Sequence, residues 1–190
     1  MAKAKLTMPL IHECVVTTLT QNNKPHIAPL GLIEDGENWI IAPFRPSTTL
    51  TNLYSGNKVT ASFTDNALIF AKLVTGNSDI PLLPIPSWPA PRLADAQAHA
   101  ELEIIDIVED DLRPRFVCAV RRIQSHQPYL GMNRARAAVL EAAILSTRLN
   151  RLSREKIDQE IAYLKIAIDK TAGPIELEAW ELVLEKINTP

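Results

Sequence analysis

The chain has 190 residues, of which 46% are hydrophobic and 22% charged, and a net charge of -2. This composition supports a packed core and excludes a disordered chain. The charge balance argues against a nucleic-acid partner, which needs a strong positive field; Arg121-Arg122 and Arg134-Ala135-Arg136 are only local exceptions.

The first half reads as β structure. Residues 12–19 (HECVVTTL) are rich in valine and threonine, as strands prefer. Asn22-Asn23-Lys24-Pro25 signals a turn. A second extended run covers residues 26–33, where Pro25 and Pro29 suggest an edge or a bulge. Asp35-Gly36 closes a hairpin onto a third strand over residues 38–44 (NWIIAPF). Ser47 then has the character of an N-cap for a short helix ending at Gly56. Residues 58–65 form a fourth strand, with Val59, Ala61 and Phe63 on one face.

Residues 77–96 carry Pro81, Pro84, Pro86, Pro89 and Pro91. Proline donates no ladder hydrogen bond, so this segment is not expected in a central strand. Its Ile80, Leu82, Leu83, Ile85 and Trp88 suggest a lid or dimer-covering loop ordered against a surface. Two further strands follow, over residues 97–108 and 116–125, giving about six short strands, enough to close a small barrel. The last third changes period. Asn133 caps one expected helix, carrying Val139, Leu140, Ile144 and Leu149. Ser153 caps a second, with Ile157, Ile161, Leu164 and Ile168 at helical spacing. Gly173-Pro174 starts a third, aligning Leu177, Trp180, Leu184 and Ile187. Three amphipathic helices with short connections form a bundle or helical cap.

The chemistry concentrates in Phe44-Arg45-Pro46-Ser47-Thr48-Thr49, where a strand runs into a hydroxyl-rich helix start. The first amides of a helix lack internal partners and sit at the positive end of its dipole. Hydroxyls and an arginine fork add donors suited to phosphate. An ordinary N-cap with surface threonines gives the same local pattern.

The ordered motifs VTT at 16–18, PHIAPLG at 25–31, FRPSTTLTNL at 44–53 and MNRARAAVLEAAILSTRL at 132–149 weigh on the choice between them. Together they resemble the FMN-binding split barrel of flavin reductases and pyridoxamine-phosphate-oxidase-like proteins. More closely, the whole chain resembles domain of unknown function family 447. The resemblance implies an α+β fold: a six-stranded split β-barrel over residues 1–128 and a three-helix C-terminal extension over 129–190, packed on the barrel or its dimer. It further implies a homodimer with FMN at the subunit interface. By the same resemblance, Phe44, Arg45, Ser47, Thr48 and Thr49 hold the flavin phosphate, and Asn52 faces the phosphate or ribityl chain. His26, Pro29, Leu30 and Gly31 then lie along the ring. Asn133 and Arg134 are candidates for the phosphate or an acidic substrate; a helix cap with a solvated arginine is the equal alternative.

Catalytic residues are not identifiable from sequence. The function implied is that of an oxidoreductase acting on a small-molecule substrate or electron donor, with a family link to methanopterin-dependent one-carbon metabolism. The alternative is a non-catalytic flavin- or ligand-binding accessory protein. His12, His26, His99 and His126 show no ligand spacing, so a metal is not expected. The chain has six glycines and no Gly-rich dinucleotide loop, which disfavours a stable Rossmann-type nicotinamide site. Cys14 and Cys118 lie in apolar runs and are expected as buried free thiols. No stretch approaches the roughly 18 apolar residues of a membrane span. MAKAKLTMPL lacks the apolar core of a secretory signal, so a soluble cytoplasmic protein is expected.

Overall fold

The computed structural model describes residues 9–189. In chain order the elements are β1 (Ile11–Leu19), β2 (Pro25–Asp35), β3 (Asn38–Ile41), α1 (Thr48–Ser55), β4 (Lys58–Phe63), α2 (Ala67–Val74), β5 (Leu82–Ile85) and β6 (Trp88–Leu93). They continue with β7 (Ala98–Val108), β8 (Arg115–Ser125), α3 (Arg134–Ser146), α4 (Arg154–Thr171) and α5 (Pro174–Asn188). They fall into two compact units. Of the described residues, one holds 9–63 together with 82–126; the other holds 64–81 together with 127–189.

The first unit is a closed barrel of six antiparallel strands in the order β1-β2-β3-β8-β7-β4. Side chains alternate across each strand, so every second residue enters the interior. Cys14 and Val16, Leu32, Ile41, Val59 and Ala61, Ala100 and Leu102, and Phe116 and Cys118 meet there. Phe63 packs against this core on the face it shares with Val59 and Ala61. The pairing of β7 with β8 shifts twice, between Glu101 and Leu102 and between Ile104 and Asp106. Such bulges add local twist, which closure requires. Both cysteines are free and buried, and burial pushes the Cys118 thiol up to about 12. They pack as small hydrophobes.

The proline-rich segment is ordered as expected, as a two-stranded sheet of β5 and β6. Pro89 and Pro91 have no N–H, so β6 cannot extend the barrel by a regular ladder. Hydroxyls from the outer face of β4 replace that ladder. Thr60 Oγ1 donates to the Ala90 carbonyl at 2.7 Å, and Leu93 N donates to Ser62 Oγ at 3.1 Å. Ala90 and Leu93 are fully buried as a result.

Beside this contact, His99 and His126 stack with ring centroids 5.0 Å apart and share a 2.7 Å hydrogen bond. Glu101 Oε1 lies 3.5 Å from His99 Nε2. Burial, with Arg92 and Arg122 nearby, holds both imidazoles below their ordinary pKa, against the opposing pull of Glu101 on His99.

The second unit has four helices where the sequence suggests three. The addition, α2, comes from the middle of the chain, within residues expected to belong to the barrel span. The expected caps are in place: Asn133 Oδ1 accepts from Arg136 N, Ser153 Oγ accepts from Lys156 N, and Pro174 opens α5. The shared core includes Ala71, Val139, Ala142, Ile157, Ile168, Trp180, Val183 and Ile187. In α3 the most buried face is mainly alanine: Ala135, Ala138, Ala142 and Ala143 beside Val139. In α5, Leu177 is exposed and Val183 occupies the core instead. The α5 stripe is centred on Trp180 but turned from the expected one. Arg136 joins the ends of this unit by pairing with both Asp65 and Glu176.

Two outcomes follow from this packing. Trp180→Ala should destabilise the protein by about 3–5 kcal/mol in urea unfolding; a neutral substitution would mean that Trp180 is not in a packed core. The depressed histidines make the unfolded chain bind more protons than the fold below the ordinary imidazole pKa of about 6.5. Melting temperature should therefore fall as pH drops from about 7 to about 5, and His99→Gln should flatten that slope. A slope identical in His99→Gln would contradict this origin.

Candidate functional site

α1 has only eight residues, too few to be stable alone. It is held by its buried face. Leu50 and Leu53 enter the barrel core, and Asn52 Nδ2 donates to Thr18 Oγ1 at 2.9 Å. Thr18 Oγ1 in turn donates to the His26 carbonyl at 3.4 Å. His26 Nε2 shares a 3.2 Å hydrogen bond with Thr49 Oγ1. This chain fixes the first turn of α1 against the beginning of β2. Burial lowers the pKa of His26, so it rests there as neutral imidazole.

At the helix start, Ser47 is the N-cap and its Oγ accepts from Leu50 N at 3.2 Å. Thr51 N donates to the Ser47 carbonyl. That leaves the amides of Thr48 and Thr49 without partners among the described residues. Thr48 is exposed, whereas Thr49 is buried. The helix dipole adds positive potential at this point, where two free amides, the Ser47 O–H and the Thr48 hydroxyl are donors that an anion could accept from.

Arg45 is already engaged. Its guanidinium donates to Glu109 Oε2 at 2.7 Å, to Tyr54 Oη at 2.8 Å and to the Asp110 carbonyl at 3.1 Å. It ties the segment before α1 to the turn between β7 and β8. Phe44 is half exposed and carries the Arg113 guanidinium 4.4 Å from its ring centroid. Arg113 also donates twice to the Ala42 carbonyl. The sequence contains Glu109 and Arg113 without marking them as partners of this segment, because their proximity depends on barrel closure.

His26, Pro29, Leu30 and Gly31 lie on the stretch of β2 that pairs with β1 alone; β3 joins β2 only from Leu32 to Asp35. This explains how two prolines fit in a barrel strand: one side of that stretch is an edge. It also leaves an open strand margin near the helix start. A Cβ at Gly31 would lie 2.7 Å from Ile11 Cγ2, so a side chain there would require the Ile11 side chain to shift. Asn133 and Arg134 belong to the helical unit. Both ends of the Asn133 amide are used there, Nδ2 donating to the Thr171 carbonyl at 3.1 Å. Arg134 is exposed. Asn133 also borders a cavity of about 170 Å³ with Asp65, Phe70, Tyr129, Met132 and Arg136. Among the described residues, no three His, Cys, Asp or Glu side chains gather as metal ligands, and no helix is long and apolar enough to cross a membrane.

Comparison with known proteins bears on this geometry. Residues 12–127 match the N-terminal domain of the protein family of unknown function DUF447, and residues 133–185 match its C-terminal part. No curated protein matches by sequence. Among solved structures, an FMN-bound DUF447 protein from Methanosarcina mazei is 22% identical. It superposes with a TM-score of 0.78 over 93% of this chain and 94% of its own. The 2-nitrobenzoate 2-nitroreductase of Pseudomonas fluorescens is 18% identical with a TM-score of 0.51, covering 60% of this chain and 65% of that one. A flavin reductase complexed with NADP+ is 14% identical with a TM-score of 0.56, covering 63% and 81%. These likenesses establish the fold.

The hydrogen-bond chain gives a direct test. Asn52→Ala leaves the buried Thr18 hydroxyl without its donor and should destabilise the protein by about 1–3 kcal/mol in urea unfolding. A loss much smaller than that would mean α1 is held by its leucines alone.

Proposed function

The chain belongs to the DUF447 family, and on that footing we propose that it is an FMN-binding flavoprotein, a homodimeric oxidoreductase acting on a small molecule. The observation that carries this reading is the pair of unpartnered amides at Thr48 and Thr49, beside the open margin of β2. The FMN-bound relative from Methanosarcina mazei supports the choice of flavin, and the nitroreductase and flavin reductase likenesses support redox chemistry.

In this reading the amides of Thr48 and Thr49 and the hydroxyls of Ser47 and Thr48 take the phosphate. Hydrogen bonds to a charged group contribute about 1.5–3 kcal/mol each. Three of them approach the roughly 8 kcal/mol of micromolar binding. His26 acts by orienting Thr49. Arg45 holds the loop that delivers the cradle and would contact phosphate only by releasing Glu109. The free backbone groups of residues 26–31 supply donors and acceptors for the edge of the ring. A bound flavin supplies hydride or electron transfer, while the protein provides position and electrostatics. Asn133 and Arg134, in the helical unit, have no part in this reading, and a one-carbon carrier as substrate rests on the family resemblance alone.

Exposed apolar side chains support the dimer. Phe44, Ile105, Ile107, Val108 and Leu112 of the barrel unit are all exposed, apolar surface that a partner subunit would cover. Light scattering after size exclusion should read about twice the chain mass of 21.1 kDa; a single-chain mass at micromolar concentration would remove the dimer from this account.

FMN titration followed by flavin fluorescence tests the cradle. Ser47→Ala should weaken FMN binding by about tenfold, the equivalent of one charge-assisted hydrogen bond. Thr51→Ala, on the same helix, should leave it unchanged. Equal affinity in the Ser47→Ala variant and the original chain would place the phosphate elsewhere.

A further inference from the structure

We propose that the cleft at the opposite, C-terminal end of α1 is a second ligand site, for a sugar phosphate or a similar small hydroxylated anion. The cleft has a volume of about 460 Å³ and lies between the β1–β2 turn, the end of α1 and the start of β4. That is within the size range of small-molecule sites.

Two side chains define what it would bind. Lys58 is the one charged residue in the lining, and no carboxylate lines the cleft. Its ammonium sits 5.0 Å from the centroid of the Trp88 ring. Glu103, its cross-strand neighbour on β7, is taken by Arg121 at 2.7 Å. No carboxylate among the described residues lies within ion-pair distance of Lys58. A positioned lysine without a counter-ion is a natural phosphate partner. The second residue is Asn52, 6% exposed, whose Nδ2 is spent on Thr18. Asn52 also lines this cleft, and its Oδ1 has no hydrogen-bond partner among the described residues, so it is an acceptor open to a ligand hydroxyl.

The helix end adds to this division of labour. Carbonyls in the last turn of a helix are acceptors with partial negative charge. They suit hydroxyls and repel an anion, so the anionic group belongs at Lys58 and the hydroxyls at Asn52 and the last turn. An anion without hydroxyls would engage Lys58 alone, and a neutral polyol Asn52 alone. The site is separate from the α1 start and does not depend on flavin binding.

The experiment is a titration of the isotope-labelled full-length protein with ribose 5-phosphate, read by amide chemical shifts, with ribose alone as the control. The expected result is saturable shifts at residues 20–23 and 55–58, with ribose alone much weaker. Lys58→Met should weaken binding by about tenfold or more, the loss of a charge-assisted contact. Lys58→Arg should retain it, and the dispersion of each spectrum reports that the variant is folded. Ser47→Ala should leave ribose 5-phosphate binding intact. Absence of saturable shifts at these amides, equal binding of ribose, survival of binding in Lys58→Met, or loss of it in Ser47→Ala would each overturn the proposal. FMN titrated separately reads the α1 start, so failure of the flavin reading and failure of this one are distinguishable.

Discussion

The site depends on how an eight-residue helix is held with its first turn unsatisfied. Nothing internal to α1 makes it a helix, since a segment this short gains too few hydrogen bonds to offset its nucleation cost. Its order comes from Leu50 and Leu53 in the barrel core and from the Asn52–Thr18 hydrogen bond. Because those contacts lie on the buried side, the amides of Thr48 and Thr49 have no claim on them. Free donors at a rigid position can bind an anion without first breaking anything. The contrast with Arg45 is instructive: its charge is the larger, but it is committed to Glu109 and Tyr54.

Barrel closure sets the second half of the site. β3 is short, so β2 runs past it with one side open over the residues beside the helix start. Pro25 and Pro29 are compatible with that margin and would be costly in a strand paired on both sides. The same economy appears at β6, where prolines preclude a ladder and hydroxyls of Thr60 and Ser62 replace it.

Much of this was legible in the sequence. The six barrel strands follow from strand-favouring residues, turn signals and the alternation of β4, and the caps at Ser47, Asn133 and Ser153 from residue type. What was not legible has physical reasons. α2 is only eight residues long and apolar at Leu68, Ile69, Phe70, Leu73 and Val74, a run that reads as readily as a buried strand. Leu177 fits the α5 stripe by spacing, but small residues such as Ala179 shift which side packs. Two of the partners of Arg45, Glu109 and Asp110, lie on a turn more than sixty residues away and are joined to it only by closure. Pairings of this kind have no local signature. The His99–His126 contact is of the same type, joining β7 to the residue after β8.

The central claim is that the start of α1 is a cradle for the flavin phosphate. A crystal structure of the protein grown with FMN tests it most directly. The account predicts phosphate oxygens about 3 Å from the amide nitrogens of Thr48 and Thr49. FMN bound with its phosphate elsewhere, and those two amides still unpaired, would contradict it.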